Sequence, residues 1–206
     1  MNNWSTHALP GPADDVTISI SGNPTIQLSS GVQSINSLVT SNLVKLTGGT
    51  LQVGTTAQIG ANLILAGGTV LGGTFTETGG AVISLSTSGG TLDGVTVDGI
   101  IDAATQSGKV TVYDGLTLNG TLSLGNTGGS TSGQILFGDS THAADSLMGT
   151  GAVVFGAFFG NSINNDSNLG GASGTLTFGP NITIHGQSGS IVNDFTSGSI
   201  INQGTI

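Results

Sequence analysis

Apolar and polar residues alternate in short bursts along the whole chain: Val16, Ile18 and Ile20; Val44 and Leu46; Leu51 and Val53; Leu63 and Leu65; Val110 and Val112; Leu116 and Leu118; Ile182 and Ile184. A period of two is that of a β-strand with one buried face. Gly, Asn and Asp interrupt the bursts every few residues, and Val, Ile and Thr fill the gaps. Such a sequence cannot hold a long helix, because Gly and β-branched residues are poor helix formers. It predicts an all-β chain of many short strands.

The bursts are related to one another. Asp93-Gly-Val-Thr-Val-Asp98-Gly99 matches Asp114-Gly-Leu-Thr-Leu-Asn119-Gly120, and Pro180-Asn-Ile-Thr-Ile-His185-Gly186 matches again. The phrase Gly-Gly-Thr followed by Leu or Val recurs at Thr50, Thr69 and Thr91. Repetition at roughly 19–22 residues marks a solenoid. Leucine-rich repeats share that period, but no fixed Leu ladder is visible. The expected fold is a right-handed parallel β-helix, a β-solenoid, spanning 1–206 as a single domain. Roughly nine or ten coils would fit, giving a rod roughly 45 Å long at the spacing of paired strands. The inward residues Val95, Val97, Leu116, Leu118, Ile182 and Ile184 would form core columns, with Thr96, Thr117 and Thr183 pointing out. Asn-Gly and Asp-Gly supply corners that need positive φ.

Two stretches break the rhythm, Gly125–Gly133 and Asn161–Gly174, and both are expected to be loops. Between them, Ala152–Phe159 is the most apolar run and is expected to be core. Phe137, Phe155 and Phe178 are expected to stack inside the rod. Residues 1–15 are expected to form an N-terminal cap, with Trp4, Pro10 and Pro12 laid over the first coil. The last strands, around Ile200, Ile201 and Ile206, would leave an open edge. Trp4 and these isoleucines are the expected end-to-end interface, either with a second copy or with more of a longer parent chain.

Composition narrows the partners. Charged residues are 6% of the chain, there is no Arg, and the net charge is −9 with only Lys45 and Lys109 as cations. Nucleic acid is excluded as a partner, since phosphate binding needs clustered Lys and Arg. No stretch is apolar enough to span a membrane, and there is no Cys for a disulfide or thiolate metal site. The N-terminus lacks the basic and apolar regions of a signal peptide.

The opening Asn3-Trp4-Ser-Thr-His-Ala-Leu-Pro-Gly-Pro-Ala-Asp-Asp15-Val-Thr-Ile18 resembles a phrase, NWS-x-x-x-x-P-x-x-x-DDV-x-I, that begins β-helical regions of very large bacterial surface proteins. Leu176–Gly186 and Ser199–Ile206 are similar to their repeat. The resemblance is to autotransporter-like or filamentous-haemagglutinin-like passengers. It implies an extracellular or cell-surface adhesin or fibre segment.

Parallel β-helices often act on polysaccharides, and such chemistry needs acidic or basic catalytic groups. Lyase chemistry is disfavoured by the absence of Arg and the scarcity of Lys. For hydrolysis or a weak Ca²⁺ site the best pair is Asp93 and Asp114, expected in one column on adjacent coils, with Asp98 and Asp102 nearby. Solvated turn carboxylates are the simpler reading. Asp139, His142 and Asp145 form a second group, either metal ligands or a polar loop. Asn164, Asn165, Asp166 and Asn168 form a third, either a Ca²⁺ loop or Asx turns. His7 and His185 are expected in turns, His185 at a corner equivalent to Asp98 and Asn119. Thr96 and Thr117 suggest an ice-binding rank, but at the repeat spacing the column is not kept up. Asn3, Asn119, Asn165 and Asn181 lie in glycosylation sequons that a bacterial source would leave bare. The expected protein is therefore a non-enzymatic structural segment without a cofactor, self-associating through its ends. The alternative is an adhesin that binds surface glycans through a lateral groove or its two loops.

Overall fold

A computed structural model describes residues 4–142, 146–169, 172–194 and 198–206. Among these residues there is no helix, and every pairing between successive turns is parallel. The strands wind into a β-solenoid of three faces. On the first face lie Asp15–Ile18, Ser37–Thr40, Thr56–Ile59 and Thr74–Glu77, and further along Ser146–Met148, Thr175–Phe178 and Ser199–Asn202. An eight-stranded second face runs from Ile26–Leu28 to Thr183–Gly186. The third face begins at Val32–Ile35 and ends at Ser190–Asn193. Two long strands, Thr91–Asp98 and Lys109–Leu118, run through the corner between the third and first faces and join them into one 15-stranded sheet.

Alternation sends one residue in two inward. On the second face, Val44, Leu63, Ile83, Ile101, Leu122, Val153 and Ile184 form one continuous column in register. All seven are buried. Each such side chain contributes roughly 1.5–3 kcal/mol by leaving water. Thr50, Thr69 and Thr91, the threonines of the Gly-Gly-Thr phrase, stack in register on the third face, and Thr111 continues the row.

The solenoid has about eight turns, fewer than the nine or ten expected. The reason is repeat length. Stacked neighbours are 18–22 residues apart in the early turns, but 24–31 apart in the strands that stack beyond Lys109. At the inter-strand spacing the described rod is therefore roughly 38 Å long. The longer turns also shift one predicted column. Val95 and Leu116 continue to Leu147 and Phe178, whereas Ile184 stacks on Val153 of the second face. The Asn-Ile-Thr-Ile phrase thus matches the first two in sequence but not in position.

Gly125–Gly133 is a loop, as expected. Asn161–Gly174 is not. It opens with the strand Ser162–Asn165, paired on both sides, and continues into a short antiparallel hairpin of Asn168–Leu169 with Ala172–Ser173. Asn is a poor strand former, but Asn165 is buried. Its amide donates to Asn193 Oδ1 at 2.7 Å, the Gly174 carbonyl at 2.9 Å and the Ser199 carbonyl at 3.1 Å. Phe137 and Phe178 are fully buried on different faces, and Phe155 packs at the core edge, so the three do not stack as expected. Of the run expected to be core, Val153 is buried but Ala157 and Phe159 are exposed, because the strand ends at Phe155 and the chain turns outward.

At the N-terminal end Trp4 packs on the core above a cavity of about 150 Å³ lined by Ile26, Leu28 and Leu46. The segment is tied down by Gln33 Nε2, which donates to the Pro10 carbonyl at 2.6 Å. At the other end Ser199–Asn202 pairs on one side only, with Thr175–Phe178. There Ile200 packs against the core, while Ile201 and Ile206 are exposed.

Candidate functional site

The corner between the third and first faces concentrates the chain's charge. Asp93, Asp114, Asp139, Asp166 and Asp194 stand there, one on each of five successive turns. Asp93 and Asp114 are not in one column. Asp93 pairs with Tyr113, and the register slips between Asp93 and Val95, so Asp114 and Gly115 together oppose Gly94. This is a β-bulge. Asp114 sits in the left-handed region at φ 52°, which Asp tolerates better than most residues.

The bulge still leaves the two carboxyls close enough to repel each other. Asp93 is half-buried, and among the described residues its Oδ1 is buried without a partner. Burial, then repulsion from Asp114, pushes its pKa up. Asp166 is raised too, by burial and by Asp194 and Asp139.

Asp139 is the hub of the corner. Its carboxylate accepts from Tyr113 Oη at 2.6 Å, the Thr141 amide at 2.6 Å, Thr141 Oγ1 at 2.8 Å and the His142 amide at 2.8 Å. Burial raises its pKa, but these donors outweigh it and hold the carboxyl well below the usual range. The Tyr113 hydroxyl is pushed up to about 12, by burial and by its bond to Asp139. His142 stacks on the Tyr113 ring, with centroids 3.7 Å apart and planes at 14°. The tight loop thus clasps one long strand through an aromatic stack and a charged hydrogen bond. Asp145 lies outside the described residues.

Among the described residues no group of three or more His, Asp or Glu is placed to hold a metal ion. Asp93 and Asp114, the pair considered from sequence for a Ca²⁺ site, do not belong to a group of three such side chains among the described residues. Asp98 is taken up elsewhere, accepting from Asn119 Nδ2 at 2.8 Å. Asp102 caps its own turn through the amides of Ala104 and Thr105. In the Asn-rich group Asn165 is structural, and Asn164 Nδ2 donates to Asp194 at 3.0 Å. The Asn168 side chain, like Asn3, is outside what is described. His7 sits in a turn with its amide on the Trp4 carbonyl. His185 is not at a corner; it faces outward from a second-face strand beside Val154.

The threonine column is longer than its spacing in sequence suggested. Thr56, Thr74, Thr96 and Thr117 stack in register. The row beside it, Gln58, Thr76, Asp98 and Asn119, is mixed in character. β-Branched and hydroxyl neighbours of this kind stabilise adjacent strands.

Two polar residues inside the rod were not foreseen. Glu77 pairs with Ile59 in an inward row, where its carboxylate accepts the amides of Ile83 at 3.1 Å and Ile100 at 2.6 Å. Asn161, fully buried, ties three turns together. Neither has a sequence signal, since a lone polar residue beside Gly or a strand end reads as a turn.

The acidic corner makes a pH prediction. Asp93 holds its proton more tightly in the fold than in the unfolded chain. Its neutral form is thus favoured by folding, and that contribution fades as pH rises through the raised pKa. Asp93→Asn should melt above wild type at pH 7, and the two curves should converge near pH 4, around the ordinary Asp value. Parallel curves from pH 4 to 7 by circular dichroism would remove Asp93 as the source.

Comparison with family models, with curated proteins and with solved structures found no match to the chain.

Proposed function

We propose that the chain is a non-enzymatic, extracellular structural segment of a bacterial surface protein, a rigid spacer or a fibre-forming subunit. One observation carries this reading: a continuous parallel ladder of about eight turns whose core columns run in register along the rod. In such a stack each turn contacts only its neighbours, so a further turn or a second copy can add on the same ladder. The opening phrase and the autotransporter-like or filamentous-haemagglutinin-like rhythm support the surface address. The charge-poor polar exterior agrees with it and offers nothing to nucleic acid. Among the described residues no helix is long and apolar enough to cross a membrane.

Assembly is tested by sedimentation and negative-stain microscopy over a dilution series. Wild type is expected to form longer rods as concentration rises, and Ile201→Asp with Ile206→Asp to remain single rods of roughly 38 Å. Wild-type particles that stay single at every concentration would overturn the fibre-forming version. An adhesive role is the second reading, favoured by the aromatic side chain exposed beside the Gly125–Gly133 loop.

A further inference from the structure

On the edge between the second and third faces, two successive turns carry loops that pack on each other. The first is Gly125–Gly133, and the second spans residues 156–161. The Ala157 amide donates to the Asn126 carbonyl at 2.9 Å, and Gly129 lies against Ala157. From the second loop projects Phe159, 81% exposed, more than any other large hydrophobic side chain among the described residues. Its ring is held against that of Phe158, with centroids 4.7 Å apart and planes at 27°. Gly160 leaves room for this arrangement, since a Cβ there would stand 2.7 Å from Phe158 Cε1. The base is fixed by buried Asn161, which bonds to Gly133, Gly156 and Ser188. The aromatic pair is thus a rigid ledge.

We propose that this ledge, with the hydroxyls and amides of the neighbouring loop, is a binding site for neutral polysaccharide. The inference rests on the adhesive reading above. Neither loop contains a charged residue, so nothing there selects an ionic partner. Thr127 and Ser130 are exposed on the neighbouring loop, which Asn126 orders by accepting the Ser130 amide at 2.9 Å. A pyranose presents an apolar C–H face ringed by hydroxyls, which matches an exposed aromatic with uncharged donors and acceptors around it. A second copy of the chain fits less well. Two rings offer far less than the ~800 Å² per partner that a stable protein interface buries.

The test is an array of neutral β-linked gluco-, xylo- and manno-hexasaccharides beside polygalacturonate and sialylated glycans. Wild type, Phe159→Ala and Phe159→Trp are compared, with equal melting temperatures as the folding control. Wild type should retain at least one neutral series, independently of salt. Phe159→Ala should lose at least about tenfold in affinity, and Phe159→Trp should keep it, since stacking needs only the aromatic face. Neutral-glycan binding that survives Phe159→Ala would overturn the ledge and leave the adhesive reading standing. No binding to any glycan would overturn both. Retention of acidic glycans alone, or an effect of Phe159→Ala on self-association only, would overturn the assignment to neutral saccharide.

Discussion

Replacing Asn161 with alanine is expected to lower the unfolding free energy by about 3–5 kcal/mol, from about 1–3 kcal/mol for each buried group left unpaired. The side chain is fully buried, and its carbonyl accepts the Gly133 amide at 2.9 Å. Its amide donates to the carbonyls of Gly156 at 3.2 Å and Ser188 at 3.0 Å. These partners belong to three successive turns, so one truncation orphans groups in all three. Asn161→Asp should be at least as damaging, because it removes the two donated bonds and buries a charge. Urea titration followed by circular dichroism gives the global loss. In a stack of turns each unit contacts only its neighbours, so amide exchange should rise first in residues 125–133 and 156–161. A loss under about 1 kcal/mol, with exchange unchanged there, would show that water replaces the side chain and that Asn161 is dispensable.

Asn161 also shows what the sequence hides. Strands were legible because Val, Ile, Leu and Thr alternate between Gly corners, and Thr50, Thr69 and Thr91 fall into register as read. The acidic corner was not legible as a unit. Asp93, Asp114, Asp139, Asp166 and Asp194 are unequally spaced, and only the bulge at Asp114 and the loops of the longer turns align them. Four of them therefore fall in three separate groups in the sequence, and Asp194 in none. The inward positions of Asn165, which reads as a loop residue, and of Glu77 were missed for a different reason. Each is polar at an inward position, and only the partner backbone groups of other turns make that position favourable. Such partners lie about one turn away in sequence and leave no local trace. Loop length misled the count of turns in the same way, because an insertion at a corner lengthens the repeat without adding a rung.

Gly120→Ala is expected to cost about 3 kcal/mol or more, at the upper end of what overpacking does. Gly99, Gly120 and Gly151 occupy the same corner on three successive turns, since Ile100 pairs with Thr121 and Thr121 with Ala152. Their backbones are in direct contact. A Cβ on Gly120 would overlap the Gly99 carbonyl and approach its nitrogen to 2.9 Å. That carbonyl accepts the Thr121 amide at 2.9 Å, so relief of the overlap breaks a bond of the inter-turn ladder. Nor can Gly99 retreat freely, because Glu77, itself bonded to the Ile83 and Ile100 amides, lies against it. The obstacle is backbone on one side and an anchored carboxylate beyond it, with no flexible side chain to yield. Gly128→Ala is the matched control. It sits on the open Gly125–Gly133 loop, where a Cβ would meet only Asn126 Oδ1 at 3.9 Å, and its effect should stay within about 0.5 kcal/mol. Urea midpoints of the two variants decide the matter. Equal midpoints would mean that adjacent turns separate easily at this corner, and a rod with such a joint could not act as a rigid spacer.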